Sequence, residues 1–166
     1  MDTKEIFKTI ISDSQLDNLP QIWDRKLEVP VNSGKIITLV GVRRSGKTYH
    51  LFNLIKKLID KGVSLNRIIY INFEDERLRL ESKDLDLLLQ TYLELYPDLD
   101  LSKSYFFFDE IQEVDGWEKF ISRLYSSISK QIFVTGSNSK LLSTEIATSL
   151  RGRTVTFEVY PLSFKE

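Results

Sequence analysis

The sequence predicts an α/β fold, with a five-stranded parallel sheet covered by helices on both faces. Three observations carry this. Apolar runs rich in β-branched and aromatic residues recur at KIITLV (35–40), RIIYINF (67–73), SYFFFDE (104–110), QIFVTG (131–136) and TVTFEVY (154–160). Several are apolar throughout rather than alternating, as strands buried on both faces are. Stretches with helical spacing lie between them, and strand–helix alternation is the signature of a parallel sheet.

Taken in order, residues 1–34 stand outside this rhythm and read as an N-terminal arm, leaving 35–166 as the core. After the first strand, Lys47 to Asp60 reads as a helix with Leu51, Leu54, Ile55, Leu58 and Ile59 on one stripe. Lys61-Gly62 stops it, because glycine tolerates the left-handed cap conformation. Residues 85–96 are helical but apolar on most sides, so their facing is open, and Pro97 ends them. Trp117, Phe120, Ile121, Leu124, Tyr125 and Ile128 keep helical spacing after the Asp115-Gly116 turn. A short helix is expected over 139–147 before the fifth strand. No internal repeat or low-complexity segment breaks the pattern.

Composition removes several classes of function. At 166 residues the length suits one domain, and a chain of this size buries about 70% of its unfolded surface. Lysine and arginine total 23 against 24 acidic residues, a net charge of −1. Charge therefore gives no global pull toward nucleic acid or anionic membrane, and nucleic-acid binding is left undetermined. There are no cysteines, which excludes disulfides, thiolate zinc sites and cysteine nucleophiles. The single His50 cannot build a histidine metal cluster. No run approaches the roughly 18 apolar residues of a membrane span. The start, MDTKEIFKTIISDSQ, lacks a signal-peptide apolar core, so the expected compartment is cytoplasmic.

Between the first strand and its helix lies GVRRSGKTYH (41–50), in which Gly41, Gly46, Lys47 and Thr48 fit G-x-x-x-x-G-K-[ST], the phosphate-binding P-loop. Each residue type has a physical task. Glycines let successive N–H groups turn inward into an anion nest, and the following helix adds its positive N-terminal end. Lys47 reaches the β- and γ-phosphates as a point charge, and Thr48 offers a hydroxyl to Mg2+. The nucleotide-binding stretch is read as Gly41, Val42, Arg43, Arg44, Ser45, Gly46, Lys47, Thr48 and Tyr49. Arg43 and Arg44 read most simply as solvated charge on a loop tip. Contact with a phosphate or a neighbouring subunit is the other reading.

Binding phosphate is not hydrolysing it. Asp109 and Glu110 close the run Tyr105-Phe106-Phe107-Phe108. A buried strand delivers such residues to the crevice at the C-terminal ends of the sheet, where α/β folds bind ligands. This looks like a Walker B element, with Asp109 holding Mg2+ through water and Glu110 orienting and deprotonating the attacking water. A solvated acidic turn is the plainer alternative, to which Glu113 and Asp115 lend weight. No N-K-x-D guanine-reading motif is present, so adenine is the expected base.

In this order, GVRRSGKT, FFFDEIQEVDGWEKF, FVTGSNSKLL and LRGRTVTFEVYPLSFKE resemble the prokaryotic AAA+-type ATPases that carry a C-terminal domain of unknown function. The P-loop is common to many families, whereas the DEIQ…GW and GR…PLSFKE patterns are narrower. The resemblance, running from about Lys35 to Glu166, implies a P-loop NTPase sandwich with sheet order 5-1-4-3-2, an AAA+-like core lacking its lid. It implies a sensor in the turn after the fourth strand, with Ser137 and Asn138 as candidates beside the alternative of an ordinary turn or helix cap. It places Asn72 where such ATPases restrain the catalytic glutamate, although a strand-end asparagine explains it as simply. Arg151 and Arg153 lie in the GR stretch. Arg151 or Arg153, the latter counted among the candidate catalytic residues, would be an arginine supplied to a neighbour's phosphoryl group in a homo-oligomer, with a structural salt bridge or exposed charge as the equal alternative. Glu145 is undecided. The family continues past PLSFKE into a helical lid and a further domain, so the chain is expected to be a fragment.

Trp23 and Trp117 read as core or interface anchors, His50 as a packed or exposed helix residue, and Glu74-Asp75-Glu76 as a solvated turn in which a supporting role for Glu74 is open. The function expected is Mg2+-dependent ATP binding and hydrolysis coupled to a conformational change. An ATP-binding switch with negligible hydrolysis and a small-molecule phosphotransferase are the alternatives.

Overall fold

Every strand expected from the apolar runs is present in the computed structural model, which describes residues 2–16, 19–22, 26–137 and 148–161. The strands are β1 (Ile36–Val40), β2 (Ile68–Asn72), β3 (Tyr105–Asp109), β4 (Ile132–Gly136) and β5 (Thr154–Glu158). All neighbours pair in parallel, in the order β2-β3-β4-β1-β5. Read from the other edge this is 5-1-4-3-2, as expected. The described helices are α1 (Thr3–Leu16), α2 (Lys47–Asp60), α3 (Leu85–Leu95) and α4 (Trp117–Ser127). The helix expected over 139–147 and the residues Trp23, Asn138 and Glu145 lie outside the described residues.

Side-chain alternation along each strand splits the core in two. Ile36, Val40, Ile69, Ile71, Phe106, Phe108, Ile132 and Val134 face one way, against α1, α3 and α4. Ile37, Leu39, Ile68, Phe107 and Phe133 face α2, whose Leu51, Leu54, Ile55 and Leu58 form the expected stripe. Phe107 and Phe133 stack at 4.6 Å. In α3 the facing left open by the sequence is fixed by Leu85, Leu88, Leu89 and Tyr92, one helical face, all buried. Trp117 is buried in the first core half, the anchor role expected of it.

Part of the segment read as an N-terminal arm, Thr3–Leu16, is helical. Its helix α1 seats Phe7, Ile10 and Ile11 in the first core half, and Gln15 donates to the Tyr92 hydroxyl of α3 at 2.9 Å. The physical reason is that apolar residues at three- and four-residue spacing give α1 one apolar face, which packs against α3 and β2.

Candidate functional site

Parallel strands end together, so the chain turns after β1, β3 and β4 meet at one edge of the sheet. After Val40 the chain curls through 41–46 into α2. Gly41 has no room for a side chain, since a Cβ would lie 2.3 Å from the Val159 carbonyl oxygen and 2.8 Å from Ser45 Oγ. Gly46 precedes the helix with φ 95°, a left-handed conformation that glycine adopts without steric cost. The first amides of α2 therefore open toward the loop, as phosphate binding needs. Lys47 is 4% exposed, and its ammonium donates to the Gly41 and Val42 carbonyls at 3.3 and 3.2 Å.

Asp109 ends β3 with its side chain on the α2 face. One oxygen, Oδ2, accepts the Thr48 hydroxyl at 2.7 Å and the Tyr70 hydroxyl at 3.1 Å. The other, Oδ1, accepts the Thr135 hydroxyl. Burial pushes the Asp109 carboxyl above its ordinary range, and the Glu110 charge adds to this against the three donors. Burial and the nearby Asp109 charge push the Tyr70 hydroxyl up in turn, so it stays protonated and donates.

Glu110 leaves the strand at φ 53°. Among the described residues, the non-glycine residues with positive φ are Arg44 and Glu110. Both border the same cleft, and such strain concentrates at functional positions. The Glu110 amide donates to Thr135 Oγ1 at 2.9 Å. Its Oε2 accepts the Ser137 amide and the Gln112 side chain, each at 2.7 Å, while Oε1 lies 3.6 Å from the Lys47 ammonium. Burial raises the Glu110 carboxyl, but hydrogen bonds from Ser137 and Gln112 and the Lys47 charge outweigh it, leaving it below its ordinary range. At neutral pH Glu110 is a carboxylate.

Lys47, Thr48, Glu110 and Ser137 line a cleft of about 350 Å³ together with Arg43, Arg44, Gly46, Tyr49 and Glu74, and the buried Asp109 is joined to it through Thr48. Lys47, Thr48, Asp109, Glu110 and Ser137 are thus brought together by these contacts. Arg43 is exposed and reaches Glu74 at 3.4 Å across the cleft mouth, and the Tyr49 ring is 51% exposed beside it. Val42 is exposed on the loop, whereas Ser45 is buried beneath it. Arg153 is not brought here. It precedes β5, and its backbone carbonyl accepts the Ile36 amide at the start of β1. A five-residue strand separates it from the loop, about 16 Å at ~3.3 Å per residue. Its guanidinium donates to Ser122 and Ser126 of α4. Arg151 is exposed in the same turn. Asn72 uses its side chain to accept the Glu74 amide at 3.0 Å, the ordinary strand-end role. His50 is buried in α2.

Sequence reading missed Tyr70, Gln112 and the full part of Thr135. Thr135 continues the register in which Phe108 pairs with Val134, so it sits beside Asp109. Tyr70 pairs with Phe107, and its long side chain carries the hydroxyl forward to Asp109. A polar residue in register with an acidic strand end was the available signal.

Among the described residues no cluster of three or more His, Asp or Glu could hold a metal alone. The hydroxyl and carboxylate of Thr48 and Asp109 fit a hard cation that keeps waters and takes phosphate oxygens for its remaining ligands, as Mg2+ does. The glycine-shaped loop opening α2, the carboxylates ending β3 and the sheet order define a P-loop fold of the AAA type. Residues 33–166 match the AAA domain family, and the chain belongs to it. AAA domains are nucleotide-binding units.

The uncharacterized protein MJ1544 of Methanocaldococcus jannaschii is 45% identical over 168 residues, covering 100% of this chain and 36% of that protein. An uncharacterized protein of Haemophilus influenzae is 42% identical over 133 residues, covering 79% of this chain and 32% of that protein. The chain thus spans about a third of the length of these relatives. No described helix is long and apolar enough to cross a membrane.

Proposed function

We propose that this chain binds ATP with Mg2+ and hydrolyses it, as the motor of a longer protein. The observation that carries the reading is that Lys47, Thr48 and Glu110 line one cleft, with Thr48 joined to Asp109 at 2.7 Å and Lys47 beside Glu110 at 3.6 Å. Amides of the loop and α2 bind the phosphates. A triphosphate offers Lys47 oxygens of higher charge than the carbonyls it now meets, and drawing Lys47 away releases Glu110 Oε1. With Oε2 fixed by Ser137 and Gln112, Oε1 orients a water and takes its proton. Mg2+, when bound beside Thr48 and Asp109, supplies the charge that neutralises the phosphate oxygens. Hydrolysis then frees the loops that the γ-phosphate had ordered, and the rest of the longer protein reads that change.

A second reading is a nucleotide-binding switch with negligible turnover, supported by the partners on both Glu110 oxygens. Phosphate release and ATP binding by the wild type, Lys47→Ala and Glu110→Gln separate the two. Lys47→Ala loses ATP binding. Glu110→Gln binds ATP as the wild type does but hydrolyses it about 10²- to 10⁴-fold more slowly. Equal turnover by Glu110→Gln removes that residue from its role, and binding without turnover in the wild type favours the switch.

A further inference from the structure

We propose that Tyr70 is the positioning residue that aims Asp109 at the metal, and so sets how strongly Mg2+ strengthens nucleotide binding. The inference rests on the nucleotide-site reading above. Asp109 is held by donors from α2, β4 and β2: Thr48 and Tyr70 on Oδ2, Thr135 on Oδ1. Thr48 belongs to the phosphate loop and Thr135 also ties down the Glu110 amide. The Tyr70 hydroxyl has the carboxylate as its described hydrogen-bond partner.

The surroundings explain why this hydroxyl stays in place. The Tyr70 ring packs on Phe52 of α2 at 5.2 Å between centroids. Phe52 meets Tyr49 edge-on at 6.2 Å, and the Tyr49 ring stands at the cleft mouth. A chain of rings thus runs from the nucleotide entrance to the carboxylate. For packing alone a phenylalanine would serve at position 70, because the ring meets the α2-side core. The hydroxyl adds to that packing one directed hydrogen bond, to Asp109 at 3.1 Å, which offsets its burial. A donor on a ligating carboxylate fixes its orientation, and removing such a partner typically weakens metal affinity by about 10- to 100-fold.

The test is Tyr70→Phe in this chain, which keeps the ring and removes the oxygen. ATP affinity is titrated with Mg2+ and in excess chelator, and Mn2+ binding is followed by electron paramagnetic resonance. The expected result is a Mg2+ requirement raised about tenfold or more, with Mn2+ bound correspondingly more weakly. ATP affinity in chelator stays at its wild-type value, and the free protein still melts cooperatively, at a temperature lowered only by the one hydrogen bond lost to Asp109. An unchanged Mg2+ requirement overturns the inference. So does an equal loss of affinity with and without the ion, or loss of cooperative melting, because the hydroxyl is then structural. A wild type that binds no ATP, or binds it indifferently to Mg2+, overturns the nucleotide-site reading as well. A responsive wild type matched by Tyr70→Phe overturns this inference alone.

Discussion

Thr135→Val removes the hydroxyl that joins both acidic residues of the cleft. Thr135 is 0% exposed, and valine matches its shape, so the change opens no cavity. Two interactions are lost. The hydroxyl donates to Asp109 Oδ1, a bond to a charged group worth about 1.5–3 kcal/mol. It also accepts the buried Glu110 amide at 2.9 Å, and leaving such a donor unpaired costs about 1–3 kcal/mol. Because one hydroxyl serves both, the two are not independent, and a combined loss of about 3 kcal/mol is expected. For a chain of this length that lowers the melting temperature by about 6–12 °C. Thr135→Ser keeps both interactions and loses one methyl, about 1 kcal/mol. The assay is urea and thermal unfolding of the nucleotide-free protein, with ATP turnover measured beside it. Turnover falls in the valine variant because the Glu110 backbone, held at φ 53°, loses its tether. Valine and serine variants of equal stability and activity would refute the reasoning.

Gly41→Ala forces a Cβ against the Val159 carbonyl oxygen at 2.3 Å, so the loop shifts; ATP affinity measured by fluorescence titration drops, with about 1–3 kcal/mol of stability lost to overpacking. Asp109→Asn stabilises the free protein at neutral pH while abolishing the Mg2+ effect on ATP binding. The carboxyl is raised by burial in the folded state, so the folded protein binds this proton more tightly than the unfolded chain does. Stability from this group is present at low pH and lost as pH rises through the folded value. The melting-temperature advantage of Asp109→Asn therefore grows from acid toward neutral pH. Phe7→Ala, truncating a fully buried residue of α1, costs about 3–5 kcal/mol, read by urea unfolding; a near-zero cost would make α1 peripheral.

The strands were legible because each is a short run of β-branched and aromatic residues, and the P-loop because its glycines and lysine have a fixed spacing. Strand ends were less legible. Glu110 reads as part of its run, yet its left-handed backbone turns it out of β3. The helix α1 was passed over because its residues Phe7, Ile10 and Ile11 sit among charged neighbours ahead of the strand–helix rhythm. Tyr70 and Thr135 were hidden for a different reason. Their roles depend on which strands lie beside β3 and in what register, and a linear sequence does not carry that pairing. Arg153 precedes β5, so the parallel direction of that strand puts it away from its own chain's loop, a placement that does not bear on action at a neighbour's site.

Calorimetric titration of ATP into the chain, with Mg2+ present, tests the central claim most directly. The account predicts saturable binding at one site per chain, abolished by Lys47→Ala although that variant remains folded. A folded wild-type chain that takes up no ATP, or a Lys47→Ala chain that binds it unchanged, would contradict the account.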